Sequence, residues 1–308
     1  LKISNFFYYL MALSSKVFNR IFLINNDSNF SFNFLPSLLD IGAYFHSNKG
    51  QNLYLHWVGN NFISIWLISL LTKNKRVIIK FADYWWLTGG CHYPKNCIQL
   101  SKNKCVDCPM VRKKLRWIPK YLFNLKRNIL NRKNVLIVSP SEHLFKTTLN
   151  CLNNKNVFYI PNGIDILPYK ERDNHKKSIG IIAHGLIEPR KNLSQIIAIL
   201  NLLVQDKTLT LNICGNSSKK VLSSIKKNKK CIINDYGFIK EDQIMREFYY
   251  QSNYILFLSK QDNAPNQIKE GMANGSIMIT FDNNFSKEHI IDKNNGYLIS
   301  SKLSNHDI

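Results

Sequence analysis

The second half of the chain alternates short apolar runs, three of them closed by glycine, with longer segments of helical periodicity. The apolar runs are KSIGIIAHG, LTLNICGN, CIINDYGFI, NYILFLS and SIMITFD, which begin at residues 177, 209, 231, 253 and 276. A continuous apolar run of this length is typical of a parallel strand that is buried on both faces. Because helical segments separate the runs, right-handed crossovers are expected, and the pattern predicts a doubly wound α/β domain.

The helical segments carry start and stop signals. In segment 188–205 the apolar residues share one helical face, and Asn192 stands where an N-cap is expected. A later helix is predicted to begin at Pro265 and to end before Gly275. Ligands of doubly wound sheets bind at the carboxyl ends of the strands, so the loops there are the candidate site. These loops span residues 185–192, 214–219, 235–241 and 259–267.

The first half of the chain is less regular but contains four further strand patterns. They are QNLYLHW, RVIIKFAD, NVLIVSPS and NVFYIPNGID, which begin at residues 51, 76, 134 and 156. A polar, charged segment at 167–178 is predicted to connect two domains. A chain of 308 residues is long enough for two cores. The predicted domains are residues 1–170 and 176–308.

The apolar stretch 53–71 is the part of the sequence nearest to a membrane span. His56 and the break at residues 59–61 interrupt it, so it is interpreted as a strand, a turn and a buried helix. Charged residues also interrupt the apolar first 24 residues, which leaves no run of the ~18 residues that a span needs. No signal peptide is recognised.

The chain is strongly basic, with 42 Lys and Arg against 20 Asp and Glu and a net charge of +22. This charge favours anionic partners, namely nucleic acid, an acidic membrane surface or phosphorylated small molecules, although a biased base composition would explain it equally well. No nucleic-acid-binding motif accompanies the charge, so nucleic acid is the weakest of these partners. Segment 111–133 has many basic and no acidic residues. It would contact an anionic membrane or a phosphate-rich ligand, or simply present a solvated helix face.

Two of the loops contain residues suited to a nucleotide. Arg190 and Lys191 lie between a strand and a helix start, where backbone N–H groups and fixed cations favour a diphosphate. Asp262 ends a later loop, and Glu270 follows two turns into the next helix. A carboxylate in the position of Glu270 can accept hydrogen bonds from the two hydroxyls of a ribose, and Asp262 with the backbone of 263–266 can reach a sugar. Taken singly, these carboxylates would be read as a turn residue and a solvated helix residue.

Several segments, in order along the chain, resemble glycosyltransferase family 4, the retaining GT-B enzymes. They are VSPSEHL (138–144), IPNGID (160–165), PRKN (189–192), DNAPNQIKEGMANG (262–275) and NNGYLI (294–299). The segment DYWWLTGGCHY at 83–93, with the cysteines that follow, is similar to the bacterial branch that builds exopolysaccharide, colanic-acid-like or O-antigen chains. The resemblance implies two Rossmann-like domains facing a cleft, with the acceptor in the first and a nucleotide-sugar in the second.

The resemblance also implies a role for each matching residue. Arg190 and Lys191 match the diphosphate-binding residues, and Asp83 joins them as a candidate catalytic residue on the acceptor side. Glu270 matches the second acidic residue of the E-x7-E motif, which holds the ribose, and Asp262 matches the first, near the donor sugar. The other expected donor contacts are Gly185, Gly215, Asn263, Ala264, Pro265 and Asn266, with Gly237 and Phe238 at the base pocket.

The implied reaction moves a sugar, with retention, from a nucleotide-diphosphate-sugar to a lipid-linked or oligosaccharide acceptor. Cations and helix N-termini that stabilise the leaving diphosphate make a metal or other cofactor unnecessary for this chemistry. The implied location is the cytoplasm, either free or in peripheral contact with the cytoplasmic face of the anionic inner membrane.

The sequence departs from the family pattern in two places. Ala82 stands where the family has a histidine, and alanine can neither donate nor accept a proton. His56 is a candidate to line the same site. The family's first strand with its glycine-rich turn and its last helices are also not recognised, which suggests a fragment truncated at both ends or a decayed copy. A relative that binds the donor without transferring the sugar is therefore the alternative function.

Four of the seven cysteines, Cys91, Cys97, Cys105 and Cys108, lie in one stretch of eighteen residues. Only the last spacing is typical of a zinc knuckle, so a structural zinc site, a disulfide and unbridged thiols all remain open. The other three cysteines are expected to be buried thiols in a reducing compartment. The stretch around them, with Asp83 and residues 88–90, is predicted to form a wall of the acceptor site.

Overall fold

The computed structural model describes two compact units, Leu1–Pro161 and Asn162–Ile308. The described residues are 17, 20–24, 29–34, 40, 44, 52–60, 62–94, 97, 100, 102, 104–165, 177–185, 189–204, 209–225 and 231–301. The predicted connection at 167–178 lies almost wholly outside them. The boundary at Pro161 lies before the predicted one, so IPNGID is divided between the units.

The first unit contains a parallel sheet in the order β1-β2-β3-β4. Its strands are β1 (Asn52–Leu55), β2 (Arg76–Lys80), β3 (Val135–Ser139) and β4 (Val157–Tyr159), and its helices are α1 (Ile65–Asn74), α2 (Trp117–Leu130) and α3 (Glu142–Cys151). Ile79 of β2 lies opposite Leu55 of β1 and Ile137 of β3, and all three are buried. The four predicted strands are therefore confirmed, as is the strand, turn and helix of segment 53–71.

Serine caps explain where two of these helices begin. Ser64 Oγ accepts a hydrogen bond from the backbone N–H of Leu67 at the start of α1. Ser141 Oγ accepts one from Leu144 at the start of α3. Each bond satisfies a donor that the first helical turn otherwise leaves unpaired.

The basic segment 111–133 forms a 3-10 turn at Lys113–Leu115 and then helix α2. One face of α2 is apolar and packs into the core of the unit, while Lys113, Lys114 and Lys120 are exposed. Lys126 is the exception, because its side chain is fully buried. None of the helices in the described ranges is long and apolar enough to cross a membrane.

The second unit is a six-stranded parallel sheet in the order β10-β9-β8-β5-β6-β7. Its strands are β5 (Ser178–Ile182), β6 (Thr210–Cys214), β7 (Ile232–Gly237), β8 (Tyr254–Phe257), β9 (Ile277–Phe281) and β10 (Gly296–Ile299). Its helices are α4 (Leu193–Leu203), α5 (Ser218–Ser224), α6 (Asp242–Tyr250), α7 (Asn266–Ala273) and α8 (Asn284–Lys287). This is the doubly wound, Rossmann-like order 3-2-1-4-5-6. It confirms the predicted α/β class and adds β10, which was not predicted as a strand.

Both faces of this sheet are covered. Leu256 of β8 packs in the apolar cluster that includes α4, whereas its neighbours Ile255 and Phe257 pack in the cluster that includes α6 and α7. Burial on both faces is the physical reason that the inner strands β5, β6 and β8 read as continuous apolar runs.

The order of the strands fixes which loops meet. The chain runs from β5 outward through β6 to β7, and then returns to β8 on the other side of β5. The loops that follow β5 and β8 therefore leave the same edge of the sheet side by side. This is the topological switch point, where ligands of doubly wound sheets bind.

Gly215, directly after β6, has a φ of +110°. A Cβ atom there would lie 2.6 Å from the backbone carbon of Ala183 and 2.8 Å from the backbone nitrogen of His184. We expect Gly215→Ala to lower the free energy of unfolding of this unit by about 2–4 kcal/mol, because a strained backbone and a backbone clash add.

Urea unfolding of the two proteins measures this difference. Gly163→Ala is the matched control, because a Cβ at Gly163 meets no atom within 4 Å. A Gly215→Ala protein as stable as the control would show that the turn relaxes freely.

Candidate functional site

The loops at the switch point bring together three of the charged residues that the sequence singled out. Arg190 and Lys191 lie in the 3-10 turn Pro189–Lys191, and Asp262 lies in the loop after β8. Lys191 Nζ is 2.6 Å from Asp262 Oδ2, and Arg190 Nη1 is 3.2 Å from the same oxygen. All three side chains are only 12–13% exposed. Two cations share one carboxylate, so the cluster keeps an excess of positive charge.

Backbone contacts fix the two loops against each other. The N–H of Lys260 donates to the carbonyl oxygen of Arg190 at 2.7 Å, and Arg190 Nη1 donates to the carbonyl oxygen of Gln261 at 3.2 Å. The N–H of Asn263 donates to Asp262 Oδ1 at 2.9 Å. The cations are thus held in place before any ligand arrives, which is the preorganisation that charge stabilisation requires.

Helix α4 begins directly after the two cations. Asn192 occupies the predicted N-cap position, but with a left-handed backbone (φ 59°) and no capping hydrogen bond from its side chain. Its Nδ2 donates instead to Gln195 Oε1 at 2.6 Å. The side chain therefore leaves the first N–H groups of an eleven-residue helix without the usual cap, and such groups favour an anion.

Glu270 lies at a separate pocket of the second unit, with a volume of about 520 Å³. The pocket is lined by Gly163, Ile164, Asp165, Ile239, Lys240, Glu241, Asp242, Met245, Arg246, Tyr249, Glu270 and Asn274. Tyr249 Oη donates to Glu270 Oε2 at 2.8 Å. Burial, and then the nearby carboxylate, raise the pKa of Tyr249 well above its usual range, so the phenol stays a donor. A carboxylate has a second oxygen, so Glu270 keeps the capacity to accept from a further hydroxyl donor.

The predicted glycines shape the neighbouring turns. Gly185 and Gly237 have φ values of +65° and +58°. The N–H of Gly215 donates to the carbonyl oxygen of Gly237 at 2.6 Å, which ties the loop after β6 to that after β7. Phe238 is 57% exposed, and its ring centroid lies 6.1 Å from that of His184. Neither Gly237 nor Phe238 lines the 520 Å³ pocket, although the next residue, Ile239, does.

The predicted residues 263–266 lead into helix α7. Asn263 is buried, and Pro265 is the N-cap of α7, as the sequence predicted. Ala264 lies between them. Asn266 Oδ1 accepts a hydrogen bond from Asn162 Nδ2 at 3.1 Å. The backbone N–H groups at this helix start are the ones predicted to face the donor.

Asp83, the candidate residue of the first unit, is 6% exposed and has both oxygens engaged. Oδ1 accepts from the N–H of Trp85 at 2.8 Å, and Oδ2 accepts from Trp57 Nε1 at 3.1 Å. His92 Nδ1 lies 2.7 Å from Oδ2, and His92 Nε2 lies 2.8 Å from Ser31 Oγ. This buried network was not foreseen, because its partners come from distant parts of the chain.

Two further positions bear on the histidine that the resemblance leads one to expect, and both of them are on the surface. Ala82 is exposed between buried Phe81 and buried Asp83. His56 is exposed as well, and its ring centroid lies 4.5 Å from that of Tyr54.

Comparison with known proteins gives a family match in the second unit and structural likenesses over most of the chain. Residues 168–308 match the family model of glycosyl transferases group 1. No match is found among curated protein sequences. The likenesses to solved structures are at low sequence identity, and they extend over both units.

Three solved structures illustrate these likenesses. Staphylococcus aureus TarM, in complex with UDP, fondaparinux and alpha-GlcNAc-glycerol, has a TM-score of 0.54 and 19% identity over 76% of this chain and 42% of its own. Anabaena HepE, in complex with UDP-glucose, has a TM-score of 0.60 and 14% identity over 88% and 70%. The pneumococcal O-GlcNAc transferase GtfA, in complex with UDP and GlcNAc, has a TM-score of 0.58 and 16% identity over 87% and 50%.

The chain spans less than half of TarM and half of GtfA. The fold is nevertheless shared over most of the chain's own length. The chain thus has the α/β fold of GT-B glycosyltransferases, and its carboxyl-terminal part, residues 168–308, is similar to the glycosyl transferases of group 1.

Proposed function

We propose that the protein is a retaining glycosyltransferase that moves a sugar from a nucleotide-diphosphate-sugar to a lipid-linked or oligosaccharide acceptor. The observation that carries the proposal is the cluster of Arg190, Lys191 and Asp262 at the switch point. A nucleotide-sugar donor agrees with the UDP and UDP-glucose complexes of the structural neighbours. The resemblance of the motifs favours family 4 and its polysaccharide-building branch.

The cluster suits the departure of a diphosphate. Breaking the bond between sugar and phosphate builds positive charge on the anomeric carbon and negative charge on the leaving group. Arg190 and Lys191 bind the leaving oxygens together with the N–H groups at the start of α4, and so they stabilise the transition state. Asp262 holds both cations and lies on the sugar side. We infer no need for a metal in this step, because the cations and the helix start supply the charge.

Glu270 binds the ribose of the donor in the same proposal. Tyr249 fixes one of its oxygens and keeps the carboxylate oriented, which leaves acceptor capacity for the ribose hydroxyls. The loop at 239–242 and the turn at Gly237 and Phe238 are the proposed surroundings of the base, and Gly185 and Gly215 line the donor side. A pocket of about 520 Å³ is large enough for a nucleoside.

We expect Glu270→Gln to weaken donor binding about 10-fold while leaving kcat less affected. The amide keeps the size of the side chain but replaces charge-assisted hydrogen bonds to the ribose by neutral ones. Calorimetric titration with UDP, GDP and ADP measures the change and identifies the base.

Glu241→Gln is the matched control, because Glu241 lines the same pocket and changes its charge equally. Equal losses in the two variants would mean that Glu270 acts only through the charge of the pocket.

On the acceptor side, Asp83 is proposed to position the stretch 83–93 through its bonds to Trp85, Trp57 and His92. With Ala82 in place of a histidine, turnover would depend on stabilising the leaving group. A relative that only binds the donor would titrate with a nucleotide but release no sugar from a labelled UDP-sugar. Sugar release and transfer by the purified chain is therefore the direct test.

A cytoplasmic location with peripheral membrane contact is part of the proposal. Its support is the exposed basic side of the segment 111–133, at Lys113, Lys114 and Lys120. Anionic lipid attracts such a surface. A lipid-linked acceptor would be met at that membrane.

A further inference from the structure

The four clustered cysteines line one small cavity in the first unit. The cavity has a volume of about 20 Å³ and is lined by Phe30, Thr88, Gly89, Cys91, Pro94, Cys97, Leu100, Cys105, Cys108 and Pro119. A space of this size holds a single atom or water molecule. Four of the ten lining residues carry a thiol and most of the others are apolar, so the cavity suits a soft cation better than water.

Hydrogen bonds to sulfur single out two of these thiols as acceptors. The N–H of Gly89 donates to Cys105 Sγ at 3.3 Å. The N–H groups of Met110 and Val111 both donate to Cys108 Sγ, which also accepts a hydrogen bond from Cys91. Backbone N–H groups directed at cysteine sulfur are a recurrent outer shell of thiolate metal sites. The step from Cys105 to Cys108 has the two-residue spacing of a zinc knuckle.

A buried lysine lies beside the thiols. Lys126 is fully buried, and its Nζ donates to the carbonyl oxygens of Trp85 at 2.8 Å and Thr88 at 3.2 Å. Burial lowers the pKa of Lys126 well below its usual value. Cys105, Asp83 and Cys91 act on that pKa in the opposite direction and favour the charged form. Zn²⁺ bound by four thiolates carries a net charge of −2, and a neighbouring cation offsets part of that charge. Burying a charged lysine without a partner is costly, and an anionic zinc–thiolate group beside Lys126 would offset that cost.

All seven cysteines lie in the described ranges, and none of them forms a disulfide there. In the described ranges, no group of three or more His, Cys, Asp and Glu side chains already has the arrangement of a metal site. Zinc binding would therefore require side-chain rotation that turns the four sulfur atoms into the cavity, to about 2.3 Å from the metal.

We propose that Cys91, Cys97, Cys105 and Cys108 bind one structural zinc ion. The proposal does not rest on the transferase activity, and the ion takes no part in the transfer step itself. Its role is to hold the segment from Cys91 to Cys108 against the start of helix α2, where Gly89 already packs on Pro119. A tetrathiolate site leaves no open position on the metal, which fits a structural and not a catalytic ion.

The test measures the metal content of the full chain, purified under reducing conditions without added metal, by inductively coupled plasma mass spectrometry. We expect about one zinc per chain and its loss in the double variant Cys105→Ser, Cys108→Ser. The matched control is Cys151→Ser, Cys214→Ser, which changes two buried thiols outside the cavity and should keep the zinc.

A second measurement on the unsubstituted chain covers the case in which the double variant does not fold. Alkylation followed by mass spectrometry should find the four cavity cysteines protected until a strong chelator is added, and modified afterwards. The proposal is overturned by a disulfide between Cys91 and Cys108 in a zinc-free protein, by iron in place of zinc, or by zinc that persists in the double variant. Rapid alkylation of the four thiols in a zinc-loaded chain would overturn it equally.

Discussion

Replacing Lys191 by alanine is expected to lower kcat for sugar transfer about 100- to 1,000-fold, the effect of removing one preorganised group that stabilises developing charge. The side chain is 13% exposed and its Nζ lies 2.6 Å from Asp262 Oδ2, so the cation is fixed before the diphosphate departs. Water that fills the space left by the side chain must reorient as charge develops. The loss therefore falls on the transition state more than on the bound donor.

The measurement is kcat and KM for transfer from a labelled UDP-sugar, together with the Kd for UDP. Lys219→Ala is the matched control, because Lys219 is exposed on α5 and changes the net charge equally without touching the cluster. Lys191→Arg should recover part of the rate, since it restores a cation with a different geometry. An alanine variant that keeps its kcat would remove Lys191 from the catalytic step, and with it the main support for the proposed function.

Replacing Trp85 by alanine is expected to lower the free energy of unfolding of the first unit by about 3–5 kcal/mol, as for other large aromatic residues truncated in a core. Trp85 is 2% exposed. Its Nε1 donates to the carbonyl oxygen of Ser31 at 2.7 Å, its ring packs edge to face on Trp86 at 5.0 Å between centroids, and Lys126 Nζ lies 3.3 Å from the ring centroid. Alanine leaves a cavity, an unpaired carbonyl and a lysine without its aromatic face.

Urea unfolding followed by circular dichroism measures the loss. Trp117→Ala is the matched control, because Trp117 has the same side chain but is 57% exposed. Its truncation should change stability by less than about 0.5 kcal/mol. Equal losses in the two variants would show that Trp85 is not a core residue of the folded unit.

Sequence patterns were most informative in the second unit. Strands β5 to β9 were recognised because each contains an apolar run. In β5, β6 and β8 that run reflects burial on both faces, whereas the edge strand β7 is largely exposed. Strand β10 was not predicted, because GYLI is short and its exposed Tyr297 interrupts the apolar run. The helix starting after Pro265 was recognised from local signals alone. Such features depend on residues that are near one another in the chain.

The candidate site was only partly predictable for the same reason. Motifs named Arg190, Lys191, Asp262 and Glu270, but the bonds from both cations to one oxygen of Asp262 join residues about seventy positions apart. Tyr249, which fixes Glu270, carries no signal in the sequence that separates it from any buried tyrosine.

The sequence by itself determined the α/β class and, apart from β10, the order of strands in the second unit, and it named the residues that are proposed to bind a nucleotide-sugar, because periodicity and motif are local properties of the chain. Only the tertiary structure decided which of those residues meet. The return of the chain to β8 beside β5 places two cations on one carboxylate, and the packing of α2 buries Lys126 near Cys105 and Cys91. Contacts of this kind depend on how distant segments pack, which no local pattern encodes.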